Sequence, residues 1–275
     1  MANQATSRRR FLRAGALLMG SSLTSTADSS AGQRAPGWAE AGSVKALVFD
    51  VFGTVVDWRS SVARQVNELA QRKGVAVDGA RFADAWRAEY APSMNRVRAG
   101  DLPWTRLDDL HRMVLDRLVK EYGLGALTDA ELTSLNRAWH RLQPWPDVVN
   151  GLTKLKTRFI IAPLSNGNIA LMTNLARYAK LPWDCILGAE LVRHYKPDRE
   201  VYESAASLLD LQRSEVMMVA AHLGDLRAAK ALGLRTAFVV RPREFGPTRT
   251  PDLEPDSSVD VSARDFNDLA RRLGA

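Results

Sequence analysis

Asp50 ends an apolar run, Val44, Ala46, Leu47, Val48 and Phe49, and is followed by the turn Gly53-Thr54. Such a run predicts a buried parallel strand, and open α/β sheets place their chemistry at the C-terminal ends of strands. A carboxylate delivered there can attack carbon if a neighbouring cation keeps it ionised. The residue two positions on, Phe52, cannot transfer a proton. Displacement of a weakly basic anion from carbon needs no such proton, whereas cleavage of a phosphate ester usually does. Three further segments supply matching groups. Ser165-Asn166 follows an apolar run at 159–162, Lys196 lies in Tyr195-Lys196-Pro197-Asp198, and Asp225 follows Ala220-Ala221-His222-Leu223-Gly224. Asp225 also has a plainer role, capping the helix after it, and Arg87, a further candidate on a helical stretch at 81–90, can pair with Asp84 or Glu89 on a solvated helix face.

These segments need a scaffold that brings them together. Between 58 and 145 the periodicity is helical, with Val62, Val66 and Leu69 at i, i+4 and i+7, and Leu107, Leu110, Val114 and Leu118 on a longer stripe. Helices are also predicted at 81–90, stopping near Pro92, and at 129–142, ended by Pro144 and Pro146. From Asp147 strands and helices alternate: strands at 159–162, 185–187, 216–221 and 236–240, with helices at 201–209, around Ala228, Ala229 and Leu232, and at 265–273. The expected fold is therefore α/β. A Rossmann-like parallel sheet with helices on both faces (44–57 and 146–275) carries an α-helical cap (58–145) inserted after the first strand. The stretch 242–255, rich in Pro, Arg and Asp, reads as a surface loop.

The net charge of +7 suggests an acidic partner, but Arg8, Arg9, Arg10 and Arg13 contribute four of those charges within an acid-free N-terminal stretch. Nucleic acid is accordingly not an expected partner. Ser7-Arg8-Arg9-Arg10-Phe11-Leu12-Arg13, the mildly apolar 14–23 and the small residues Ser25-Thr26-Ala27 resemble a twin-arginine export signal over 1–27. A linker follows at 28–43. The expectation is a periplasmic or exported protein that meets the twin-arginine translocase; the apolar stretch is too short to hold the mature protein in a membrane. Cys185 is the only cysteine, so no intrachain disulfide forms, and its apolar setting predicts a structural thiol.

The order of strand then Asp50, strand then Ser165-Asn166-Gly167, Lys196-Pro197, and strand then Asp225 resembles the haloacid dehalogenase superfamily over about residues 44–242. In detail it resembles the type II, L-specific 2-haloacid dehalogenases. Asp-Val-Phe-Gly-Thr at 50–54 is close to their first motif, with an aromatic where the superfamily's phosphatases carry a second Asp. Trp86-Arg87, Leu164-Ser165-Asn166-Gly167 and Tyr195-Lys196-Pro197-Asp198, with Tyr202 six residues after the lysine, match further motifs. The resemblance implies hydrolysis of short 2-haloalkanoic acids through an aspartyl ester. Asp50 would attack C2, and Arg87 would take the halide. Lys196 would hold Asp50 ionised, and Asp225 would position or activate the hydrolytic water. Backbone amides near Val51 and Phe52, with Ser165 and Asn166, would hold the substrate carboxylate, and Thr54 and Tyr202 would support the site. A homodimer is implied as well. The superfamily's magnesium phosphatases commonly present Gly-Asp where this chain has Ala220-Ala221, so no metal and no cofactor are expected. His222 stands where active members often carry an amide, and an imidazole there can hold water or change the pH profile. Two rivals remain: a magnesium-dependent phosphatase of the same fold, and a non-catalytic carboxylate-binding protein.

Overall fold

The computed structural model describes residues 44–275, apart from positions 126 and 248. The expected export signal and linker lie outside the described residues. The chain runs β1 (Ala46–Phe49), β2 (Val56–Asp57), α1 (Trp58–Lys73), α2 (Gly79–Ala88), α3 (Tyr90–Arg98), α4 (Leu107–Glu121) and α5 (Asp129–Asn136). A 3₁₀ turn at Arg137–His140 leads to β3 (Gln143–Pro144), α6 (Val148–Lys156), β4 (Ile160–Ser165), α7 (Ile169–Ala179), β5 (Leu187–Gly188), α8 (Ala189–Val192) and α9 (Arg199–Leu208). After β6 (Val216–Ala220) come α10 (Leu223–Ala231), β7 (Arg235–Val239), β8 (Val261–Ala263) and α11 (Phe266–Leu273).

Six strands form a parallel sheet in the order β5-β4-β1-β6-β7-β8. The chain builds outward from β1 on one side through β4 and β5, then returns to build the other side through β6, β7 and β8. β1 therefore stands at the switch point, where the loops diverge and leave a crevice at the strand ends. Its residues alternate between two cores. Leu47 and Phe49 pack with Leu152, Leu155, Phe266 and Leu269, while Ala46 and Val48 pack with Val201, Ala205 and Leu226. Burial on both faces is why β1 reads as one unbroken apolar run.

The cap helices leave and rejoin the core through the short antiparallel pair of β2 and β3. Three boundaries differ from the sequence-based expectation. Pro92 does not end a helix: it sits in the first turn of α3, where its missing N–H costs nothing. The expected helix at 129–142 is α5 followed by the 3₁₀ turn. β4 continues past 162 to Ser165, and β8 was not anticipated. The largest departure is the stretch after β7. Arg241, Glu244 and Phe245 are buried rather than on a surface loop. Arg241 bonds both oxygens of Asp147 at 2.8 and 2.9 Å and the Thr54 carbonyl at 2.8 Å, which pulls this segment against the first turn after β1.

Candidate active site

Asp50 emerges from β1 into a cavity of about 330 Å³ shared with Phe52, Arg87, Tyr90, Asn166, Lys196, Tyr202, His222 and Asp225. Its two oxygens have different partners. Oδ1 accepts from the Lys196 ammonium at 2.9 Å. Oδ2 accepts from the Thr54 hydroxyl at 2.8 Å and faces His222 Nδ1 at 3.0 Å. Thr54 Oγ1 itself accepts the Ala221 N–H at 2.9 Å, so its own proton is directed at Asp50. Lys196 bridges onward to Asp225 Oδ2 at 2.5 Å, and Tyr202 donates to Asp225 Oδ1 at 2.6 Å. On the other side His222 Nε2 lies 2.9 and 3.0 Å from the two oxygens of Glu244, which also accepts from Trp58 Nε1 at 3.3 Å.

The elements explain these positions. Asn166, just past β4, accepts the backbone N–H of Lys196 at 2.7 Å and fixes the lysine loop. Arg98, at the end of α3, donates to the Tyr195 carbonyl at 3.1 Å, to the Lys196 carbonyl, and to Asp198 at 2.9 Å, tying that loop to the cap. Gly53 has φ of +91°, and a Cβ there would meet Glu244 Oε1 at 2.1 Å. Only glycine admits both that turn and that close carboxylate.

Burial alone would raise the Asp50 carboxyl, but the Lys196 charge and the bond and charge of His222 reverse this and hold it well below the usual carboxylate range. Lys196 shows the mirror effect: burial works against its charge, and Asp225 and Asp50 lift it above the usual lysine range. Burial would also lower His222, yet the Glu244 charge and the bond to Asp50 push it up to about 10. Asp225 moves upward, through burial first and then the Asp50 charge, against the opposing pull of Lys196. The site thus combines one strongly ionised carboxylate with a second that is a better base. That is the division of labour a nucleophile and a water activator require.

Arg87 extends from the cap into the same cavity. Its plainer roles fall away, because Asp84 pairs with Arg59 and Glu89 with Arg117. The guanidinium stacks 3.9 Å over the Tyr90 ring, and its buried Nη1 has no hydrogen-bond partner among the described residues. An unpaired buried donor on a cation is costly unless an anion meets it. Phe52 packs edge-on against Trp139 and Tyr90, so the residue standing in the proton donor's place joins β1 to the cap's aromatic cluster.

The structure brings Asp50, Thr54, Arg87, Asn166, Lys196, Tyr202, His222 and Asp225 together. Two expected residues are placed differently. Ser165 is buried, its Oγ accepts the Gly167 N–H at 3.1 Å, and it does not line the cavity. Val51 is a core side chain, so only its backbone can face a ligand. Asp225 is not the N-cap of α10: His222 holds that position and Asp225 is the third helical residue. Tyr90, Trp58, Arg98 and Glu244 were missed. Tyr90 follows the Trp86-Arg87 pair within one turn and could have been included; Glu244 offered no signal, lying in a Pro- and Arg-rich stretch without periodicity.

A magnesium ion of the kind the wider fold uses would need free carboxylate oxygens between Asp50 and Asp225. Lys196 Nζ stands there, within bonding distance of both. The donor set does not fit a divalent cation. Two of the other histidines have structural settings. His140 bonds Asp108 at 3.0 Å and Asn174 at 3.0 Å. His111 stacks on Trp139, and burial pushes it down to about 3.

A family model for haloacid dehalogenase-like hydrolases matches residues 44–233. The chain belongs to that family. Among its relatives, (S)-2-haloacid dehalogenase 1 of Pseudomonas sp. (strain CBS-3) is 31% identical over 216 residues, covering 74% of this chain and 88% of that one. (S)-2-haloacid dehalogenase 4A of Burkholderia cepacia is 30% identical over 219 residues, covering 72% and 84%. The solved structure of a defluorinating L-2-haloacid dehalogenase is 50% identical, with a TM-score of 0.82 over 84% of this chain and 96% of that one. In this haloacid dehalogenase-like hydrolase the sheet order and the cap agree with the expected fold class.

Proposed function

We propose that this enzyme hydrolyses short 2-haloalkanoic acids to 2-hydroxy acids through an ester on Asp50, without a metal. The observation that carries this reading is one cavity holding an ionised carboxylate fixed by a lysine and, across it, a cap guanidinium with a buried unpaired nitrogen. The substrate carbon sits between them. Asp50 Oδ2 has two donors while Oδ1 has one, so the open lone pair belongs to Oδ1. Oδ1 bonds to C2, the carbon–halogen bond breaks, and the halide leaves with its electron pair toward Arg87. Inversion at C2 follows from attack opposite the leaving group. Asn166 and the backbone after Asp50 offer donors for the substrate carboxylate. In the second half water attacks the ester carbon while Asp225 takes its proton. The Cγ–Oδ1 bond then breaks, Oδ1 takes the proton back from Asp225 and departs as the hydroxyl of the hydroxy acid, and Asp50 keeps the water oxygen and gives up that water's second proton. Released products are the hydroxy acid, halide and a proton.

Relatives named as dehalogenases support carbon–halogen cleavage over the phosphatase rival. The test is halide release from racemic 2-chloropropionate, chloroacetate and fluoroacetate in EDTA, beside an Asp50→Asn control. Release by the parent alone is expected. Mg²⁺-dependent release of phosphate from an aryl phosphate, with no halide, would move the assignment to the phosphatase. Silence in both assays, with 2-chloropropionate still bound, would identify a binding protein.

Export through the twin-arginine translocase to the periplasm is proposed on the Ser7-Arg8-Arg9-Arg10-Phe11-Leu12-Arg13 motif. Replacing Arg8 and Arg9 by lysine should trap a tagged full-length protein in the cytoplasm; equal localisation of both forms would refute it. A homodimer is proposed from the family resemblance, and a monomeric mass in light scattering would overturn it.

A further inference from the structure

His222 is held between two carboxylates. Its Nδ1 faces Asp50 Oδ2 at 3.0 Å and its Nε2 faces both oxygens of Glu244 at 2.9 and 3.0 Å. An ionised carboxylate only accepts, so satisfying both ends of the ring requires N–H on both nitrogens. Glu244 is almost wholly buried, and its further side-chain donor is the Trp58 indole. Its place depends on Gly53, where any side chain would collide with it. A buried carboxylate kept this close to the first motif, with one imidazole as its charged partner, has no use in the scheme above.

We infer that Glu244 is a positioning residue that keeps His222 as an imidazolium, so that its Nδ1–H and the Thr54 hydroxyl form the oxyanion site for hydrolysis of the Asp50 ester. The inference rests on the dehalogenase reading and deepens it. Once Oδ1 is bonded to C2, Asp50 no longer carries a negative charge and Oδ2 becomes the ester carbonyl oxygen. Attack by water at Cγ moves the carbonyl electron pair onto Oδ2. Two donors already point at that atom, and no reorganisation is needed when the charge appears. Collapse returns the pair to the carbonyl and breaks Cγ–Oδ1. His222 keeps its proton throughout; Asp225 handles the proton of the water.

The other charged groups around the ring are largely balanced. Lys196 and Asp225 flank Asp50. Arg87 and Asp84 from α2, and Arg249 and Asp252 from the segment after β7, line its outer side together with Tyr90, which burial keeps neutral. Glu244 is therefore the group whose removal should release the imidazole proton. In the parent ester the Asp50 charge is gone and Glu244 alone supports the imidazolium, so hydrolysis should fail as His222 loses its proton at a pH below the value of about 10 that holds while Asp50 is ionised.

The test uses Glu244→Gln, which keeps an acceptor but removes the charge, and Glu244→Asp, which restores the charge. With chloroacetate, Glu244→Gln should release one halide per site at near-parental rate and then turn over about 10- to 100-fold more slowly, in line with the loss of an oxyanion donor. The alkylated protein should accumulate in intact-mass spectra. The deficit should grow as the pH rises through 6 to 8, while Glu244→Asp should recover at least part of the turnover. A variant with parental turnover and pH profile would overturn the proposal. So would equal loss of the burst and of steady turnover, which marks a merely structural role. If Glu244→Gln does not fold, side-chain ¹⁵N shifts of His222 in the parent decide the matter: both nitrogens protonated at pH 8.5 supports it, and a neutral tautomer refutes it. Absence of any halide from the parent would instead sink the dehalogenase reading itself.

Discussion

The two oxygens of Asp50 are held by two different kinds of structure. On the Oδ1 side, Lys196, Asp225 and Tyr202 come from motifs at the ends of neighbouring elements, linked at 2.5 to 2.9 Å. On the Oδ2 side, His222 leans on Glu244, from a long loop, and Glu244 in turn accepts from Trp58 of the first cap helix. In the proposed reaction the first side serves the nucleophile, with a cation that keeps the attacking oxygen ionised, and the second serves ester hydrolysis, with fixed donors around the oxygen that stays on Asp50. Placing the two halves of a double displacement on opposite sides of one carboxylate lets each be tuned separately.

The sharpest way to break this comparison is to remove its shared atoms. Asp50→Asn should reduce halide release by at least roughly 10⁴-fold with the fold retained, as measured by halide electrode and circular dichroism. Lys196→Met should follow, with a loss of about 10²- to 10³-fold. It should also move the acid limb of the rate profile to higher pH. The sign follows from Asp50: burial works to raise its carboxyl, and Lys196 and His222 together outweigh that cost, so removing the lysine cation lets it protonate at higher pH. An unmoved acid limb would separate Lys196 from ionisation of the nucleophile.

The Oδ2 side predicts a stability effect of the opposite sign. The folded pKa of His222 is raised from 6.5 to about 10. Its contribution to stability is full below about 6.5 and is lost as the pH rises toward 10. Melting temperature should therefore fall between those limits in the parent and show a weaker fall in Glu244→Gln. Parallel curves would detach Glu244 from His222 protonation. The smallest effect belongs to Ser165→Ala, which should change kcat/KM for 2-chloropropionate by less than about threefold, since its Oγ serves the turn to Gly167 rather than the cavity. A loss above tenfold would return Ser165 to the substrate.

This contrast also marks what the sequence made legible. Asp50 and Ser165-Asn166 stand at the ends of buried strands of a parallel sheet and Asp225 shortly after one, where apolar runs announce the strand and polar residues follow it, while Lys196 was legible from the motif Tyr195-Lys196-Pro197-Asp198. The cap was legible from helical periodicity, and Arg87 from its place beside Trp86. His222 could be seen as an unusual residue at a motif position, but its partner could not. Glu244 is brought in by the Arg241–Asp147 pair and admitted by the absence of a side chain at Gly53. The Arg241–Asp147 pair spans 94 positions and the Trp58–Glu244 bond 186, and contacts over such separations leave no local pattern. Pro92 and β8 were misread for a related reason: a proline in a first turn looks like a terminator, and a three-residue edge strand is too short to show alternation.

The measurement that tests the central claim most directly is a single turnover of excess enzyme with 2-chloropropionate in H₂¹⁸O, followed by mass analysis of the product and of the peptide containing Asp50. Attack by Asp50 on carbon, then by water on the ester carbonyl, predicts ¹⁸O in Asp50 and unlabelled oxygen in the new hydroxyl of the lactate. Label in the lactate hydroxyl with none in Asp50 would mean that water attacks carbon directly, and would contradict the account.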